Sequence, residues 1–213
     1  MQAGVWRGTS PVIPPSAAWG LVLNLAGIET RDATPSVTTL IREDAPRFEL
    51  AIGTNSAAPE RSSLYQQLHS YPVGNSGQEL RARTHGSKYW IVPVRRELLV
   101  GFDAVLGVRA DDTLLTRVAD GLAGRLSGQR YGLPFAGDNN LLFDRIEVLA
   151  GAPTAHWYTP VRRELGQRAG SCRLTIGIDR DDSSRTTSAL FAPTPEPQPT
   201  PPDEAWVCVP RAA

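Results

Sequence analysis

The sequence predicts an α+β domain, and three observations carry that prediction. An apolar-periodic helix follows Pro14-Pro15. A second follows Asp111-Asp112-Thr113. Alternating strand-like runs lie between and after them. The first helix, expected over 16–26, has Ser16 as its N-cap, prolines ahead of it and Gly27 as its stop. Gly20 inside it permits close packing. Residues 47–52 alternate and read as a strand. Residues 54–87 are polar and rich in Gly, Ser, Asn and Pro, and such a long connection is usually functional or disordered. Strands are expected at 89–92 and 98–108. A second helix follows at 113–126, with the stripe Leu114, Leu115, Val118, Leu122 and Leu126. A last core strand is expected at 141–149. With one strand in front, this order is the ferredoxin-like β-α-β-β-α-β pattern of RRM domains. The domain is expected over 1–149, with a long insertion at about 54–96. A small β-rich extension over 150–213 has weaker strands near 172–178 and 205–209, and the proline-rich run 193–202 reads as an exposed spacer.

Composition narrows the function classes. The chain has 213 residues, 41% of them hydrophobic, enough for a core. Its 22 basic residues balance 22 acidic ones, so any nucleic-acid site must be local. Lys88 is the sole lysine, and the remaining cations are arginines suited to bidentate phosphate contacts. Cys172 and Cys208 form neither a disulfide framework nor a zinc set and read as small apolar fillers. No apolar run approaches the ~20 residues of a membrane span, and no secretory leader opens the chain. A cytoplasmic protein without metal or other cofactor is expected.

Three stretches carry candidate chemistry. At the first helix start, Ser16 and Trp19 accompany free amides that can hold a phosphate, although ordinary capping accounts for the same residues. Between 81 and 96 lie Arg81, Arg83, His85, Lys88, Tyr89, Trp90, Arg95 and Arg96, with no acid. Basic and aromatic residues interleaved in this way suit single-stranded RNA, and a solvated face explains them equally. Between the second helix and the last strand, Arg130, Tyr131, Gly132, Gly137, Asn139 and Asn140 form a loop whose glycines permit close approach to a ligand. It matches no P-loop or dinucleotide fingerprint, and a plain helix-to-strand turn remains open. The hexapeptide Pro93-Val94-Arg95-Arg96-Glu97-Leu98 recurs as Pro160 to Leu165.

Together with Tyr65-Gln66-Gln67-Leu68-His69-Ser70-Tyr71-Pro72, these stretches resemble the "Cas five" family, in its DevS-like branch, over roughly residues 10–150. The resemblance implies a RAMP domain of RRM type with a thumb-like insertion. It implies a non-catalytic antiviral-defence subunit of a type I CRISPR Cascade that grips the 5′ handle of the crRNA. The implied neighbours are the large subunit and the backbone subunits, with target DNA near the PAM end met indirectly. Ser16, Arg95, Arg96 and Tyr131 to Asn140 match the family's helix start, basic strand start and glycine loop. Family members usually open with an apolar strand. Here residues 1–8 either supply an atypical strand or that strand lies outside this chain.

Two other functions fit the residues. A metal-independent endoribonuclease could use His85, Lys88 and Tyr89 as base and cation toward a 2′-hydroxyl and its phosphate. A protein-only scaffold would use its arginines for subunit contacts. Steep salt dependence of binding separates RNA binding from a scaffold.

Overall fold

The computed structural model describes residues 5–32, 40–55, 59–72, 89–128, 130–137, 141–161 and 168–210; the side chains of residues 5, 68–72, 89–92 and 183 lie outside that description. The chain is α+β and divides into two compact units, one of residues 1–11 and 58–102, the other of residues 12–57 and 103–213.

The smaller unit is a three-stranded sheet ordered β1-β4-β3. Strands β3 (Glu60–Pro72) and β4 (Tyr89–Val100) form a long antiparallel hairpin, and β1 (Val5–Arg7) joins β4 in parallel. Residues 1–8 thus do supply a strand, but it pairs with β4 and not with the strand after the first helix. The long connection expected over 54–87 contains a 13-residue strand. Thr9 closes the end of β1 by donating its backbone N–H to Glu97 Oε2 at 2.9 Å, and Arg61 meets the same oxygen at 3.3 Å.

The larger unit is built around β2 (Phe48–Thr54). One edge of β2 pairs along its length with β5 (Ala104–Arg109). The other edge is shared. Strand β9 (Val207–Val209) takes Phe48 to Leu50, and β6 (His156–Pro160) takes Gly53 and Thr54. Strands β8 (Thr187–Pro193) and β7 (Cys172–Gly177) continue outward from β6. Residues 150–213 therefore belong to the main sheet and are not an appended extension. The run 193–202 is also more than a spacer. Thr194 N–H bonds Trp157 O at 2.8 Å, and the Trp157 indole N–H reaches Gln198 O at 3.0 Å. Cys172 is half-buried, whereas Cys208 is exposed and fills no core space.

Helix α1 (Pro15–Leu25) buries seven of its eleven residues, and it packs on β2, β7 and β9. It ends in a Schellman motif, with Ile28 N–H to Leu23 O, Gly27 N–H to Asn24 O and Gly27 at φ 66°. Helix α2 (Asp112–Leu122) starts on the Asp111 side chain, which accepts from Leu114 N–H at 2.8 Å. It packs chiefly on α1 rather than on the sheet. Arg117 fastens the pair by donating to Ala26 O and Gly27 O.

The strand expected at 141–149 does not form; this stretch shows only an isolated bridge from Leu142 to Phe135. Local alternation cannot make a strand without a partner, and the open edge of β2 is taken by β6 and β9. Those strands bury Trp157 and Val209, whereas Leu142, Val148 and Leu149 remain exposed. The sheet consequently departs from the ferredoxin-like order at its first and last strands.

The α1–α2 contact has a sharp point. A Cβ on Gly121 would lie 1.8 Å from Leu25 O. Gly121→Ala is expected to destabilise the protein by at least ~2 kcal/mol through overpacking. Urea unfolding should show the lower midpoint, while Gly20→Ala, which meets nothing within 4 Å, should not lower it.

Candidate nucleic-acid interface

Side chains on a strand alternate between faces. In the smaller unit this rule separates Arg95 from Arg96, which sequence reasoning placed together. Arg95 lies in register with Trp6 of β1 on one side and Tyr65 of β3 on the other. Arg96 lies in register with Arg7 and Leu64 on the opposite face and is half-buried. The row Trp6–Arg95–Tyr65 crosses all three strands. The Arg95 guanidinium carbon is 4.7 Å from the Trp6 ring centre and 5.9 Å from that of Tyr65. Its Nε donates to Ser63 Oγ at 3.1 Å. Trp6 is 53% exposed and Tyr65 77%, so two aromatic faces and a charge are presented to solvent. Burying such aromatic surface is favourable, so an open row of this kind has ligand-binding capacity to spare. Beside it Glu97 is held below the usual carboxylate range, chiefly by the Thr9 N–H and then by Arg61.

Sequence reasoning found Arg95 but missed Trp6 and Tyr65. They lie far apart along the chain, and only the β1–β4–β3 register unites them. Arg81, Arg83, His85 and Lys88 lie outside the described residues, as do Asn139 and Asn140. Tyr89 opens β4, with its side chain outside the description.

The helix-start site loses its basis. The N-cap is Pro14, not Ser16, and it makes no side-chain cap. Pro14 and Pro15 have no N–H to offer. The amides of Ala17 and Ala18 both go to Pro14 O, at 2.9 and 3.0 Å. Few free donors remain for a phosphate near Ser16. Trp19 is 5% exposed and gives its indole N–H to Pro46 O, so it is a core residue with no free face for a base.

The glycine loop sits at the other end of α1. Asn24 Nδ2 donates to Tyr131 O at 2.5 Å, and the Arg31 guanidinium covers the Tyr131 ring at 3.2 Å. Arg31 is itself held by Glu29 through bonds of 2.8 and 2.9 Å. An 11-residue helix is about 16 Å long, so Ser16 and Tyr131 do not share one site. Gly132 and Gly137 do have positive φ, 65° and 87°, and both are exposed. Arg130 is half-buried. Among the described residues no cluster of His, Cys, Asp and Glu could hold a metal, and no helix is long and apolar enough to cross a membrane.

With this geometry in place, comparison with solved structures finds a similar chain in one described as a "CRISPR RNA-guided surveillance complex". The match covers 96% of this chain and 89% of that one, with a TM-score of 0.54 and 13% identity. The likeness is one of fold. No family model and no curated protein matches the sequence.

The Glu29–Arg31 pair generates a titration test. Arg31's hydrogen bond is the main reason the Glu29 carboxyl falls from 4.5 to about 2. A depressed carboxylate stabilises the fold above its ordinary pKa, and that contribution is lost as pH falls from about 4.5 toward 2. In Arg31→Ala, carboxyl NMR should show Glu29 raised from about 2 toward 4.5, with the backbone N–H bonds to its carboxylate retained. An unchanged titration would mean that Arg31 is not its partner in solution.

Proposed function

We propose that this chain is a non-catalytic crRNA-binding subunit of a type I CRISPR Cascade effector, built on a RAMP domain of RRM type and belonging to the DevS-like branch of the "Cas five" family. In this reading it grips the 5′ handle of the guide RNA in the cytoplasm. It bridges the large subunit and the backbone subunits and meets target DNA near the PAM end only indirectly. The observation that carries the reading is the exposed Trp6–Arg95–Tyr65 row on a three-stranded sheet. Single-stranded RNA is recognised by stacking unpaired bases on aromatic rings while arginines pair the phosphates. A flat sheet face presenting both has the groups for that task. The fold likeness to a chain of an RNA-guided complex supports the same direction. The Arg81, Arg83, His85 and Lys88 stretch and the 130–140 loop are kept as proposed RNA contacts in their own right, and Ser16 and Trp19 are not.

The test is binding of a handle-length single-stranded RNA over a range of salt. Stacking is worth ~1–3 kcal/mol per base, so Trp6→Ala with Tyr65→Ala should weaken binding by about tenfold or more. Arg95→Ala should reduce the log–log salt slope by about 0.7, the share of one single-strand phosphate contact. Arg173→Ala, an exposed side chain on β7, should change neither. Unaltered binding in the aromatic double variant would remove the row from the RNA site.

The same preparation should leave CRISPR repeat RNA intact. Cleavage at a defined position, abolished by His85→Ala or Lys88→Ala, would replace this reading with the endoribonuclease.

A further inference from the structure

A second candidate site lies wholly within the larger unit. The segment before β2 and the β7–β8 hairpin enclose an open-sided cavity of about 340 Å³. That is near the lower end of small-molecule sites, which run from ~300 to ~1,000 Å³. Its walls combine apolar surface, from Ile41, Ile178 and Pro210, with four arginines, Arg42, Arg47, Arg180 and Arg185.

The charges do not all remain available. Arg42 is bound in a fork by Asp44, at 2.5 and 2.8 Å. Arg185 is engaged by Asp179 at 3.0 Å, with Asp181 and Asp182 beyond. Asp179 also accepts the backbone N–H groups of Asp181 and Asp182, at 2.9 and 2.8 Å, which fixes the hairpin turn that carries Arg180. After these pairings Arg47 and Arg180 keep no ion-pair or hydrogen-bond partner among the described residues; one carboxylate on the wall, Glu43, is likewise unpaired.

We propose that this cavity binds one nucleotide. Its phosphate lies on Arg47 and Arg180, and its base lies on the apolar wall of Ile41, Ile178 and Pro210. A free mononucleotide and one nucleotide of a strand share this chemistry. The site shares no residue with the Trp6–Arg95–Tyr65 row, so it stands or falls separately from the RNA-subunit reading.

Calorimetric titration of the full chain tests it with AMP, adenosine, inorganic phosphate and a short oligoadenylate. AMP should bind, adenosine and inorganic phosphate each at least tenfold more weakly. Arg47→Ala with Arg180→Ala should lose at least tenfold in affinity for AMP. Trp6→Ala with Tyr65→Ala and Arg173→Ala should leave AMP binding unchanged. If the strand is the source, oligoadenylate binds where AMP does not, and the Arg47/Arg180 variant weakens it independently of the Trp6/Tyr65 variant. The proposal is overturned if neither nucleotide form responds to loss of Arg47 and Arg180, or if inorganic phosphate binds as well as AMP.

Discussion

Strand β2 must satisfy three partners at once, and the larger unit follows from how it does so. Its residue Gly53 is the decisive position. A Cβ there would come within 2.9 Å of both Trp157 and Val105. Without one, the Trp157 ring of β6 can settle over the strand and become 1% exposed. That leaves the first half of the same edge for β9, paired at Phe48 to Leu50. The Pro-rich connection between β8 and β9 then wraps the tryptophan, tied at Trp157 O and at its indole N–H. Gly107 on β5 performs a similar service for Trp206, whose ring would lie 2.9 Å from an added Cβ and which carries Arg109 on its face at 3.9 Å. Two indoles seated on glycines thus take the place of a continuous edge strand.

The smaller unit obeys a different constraint. Its hairpin is long, and its third strand is three residues of the N-terminal segment pairing in parallel with β4. The parallel register puts Trp6 beside Arg95, and the hairpin register puts Tyr65 on the other side. Period-two alternation then sorts the neighbours. Arg95 is presented to solvent with its aromatics, and Arg96 turns to the face where Val94 is fully buried. Val94 is thus buried on the Arg96 face, and the Arg95 face carries the exposed aromatic row.

Both helices were legible because their signals are local. Prolines before α1, Asp111 before α2 and Gly27 after α1 act within a few residues, whereas the stop at Gly124 was passed over: the helix expected to run to 126 ends at Leu122. Strand β2 was legible from alternation, and strands were expected where β4, β5, β7 and β9 lie, although the expected 98–108 run is split between the end of β4 and β5. The rest was hidden for physical reasons. Strand β3 is polar on both faces near Arg61 to Gln67, so it has no apolar period to read, and its partner alone makes it a strand. The stretch 141–149 has the opposite history, with a strand's sequence but no place on β2, whose second edge is held by β6 and β9. Within the candidate site, Arg95 stood out by local basic density. Trp6 and Tyr65 did not, because their meaning lies in a register across strands that no window of sequence contains. Trp19 misled for a related reason, since an indole beside a helix start looks like a stacking residue until its N–H is seen bound to Pro46 O.

Contact between RNA and the Trp6–Arg95–Tyr65 face can be measured directly. Ultraviolet crosslinking of bound single-stranded RNA, followed by mass mapping of the linked residue, reads it. Crosslinks are expected at Trp6 or Tyr65, suppressed by excess unlabelled RNA and by high salt. Crosslinks confined to the 130–137 loop, or RNA that binds tightly while both aromatics stay unmodified, would contradict it.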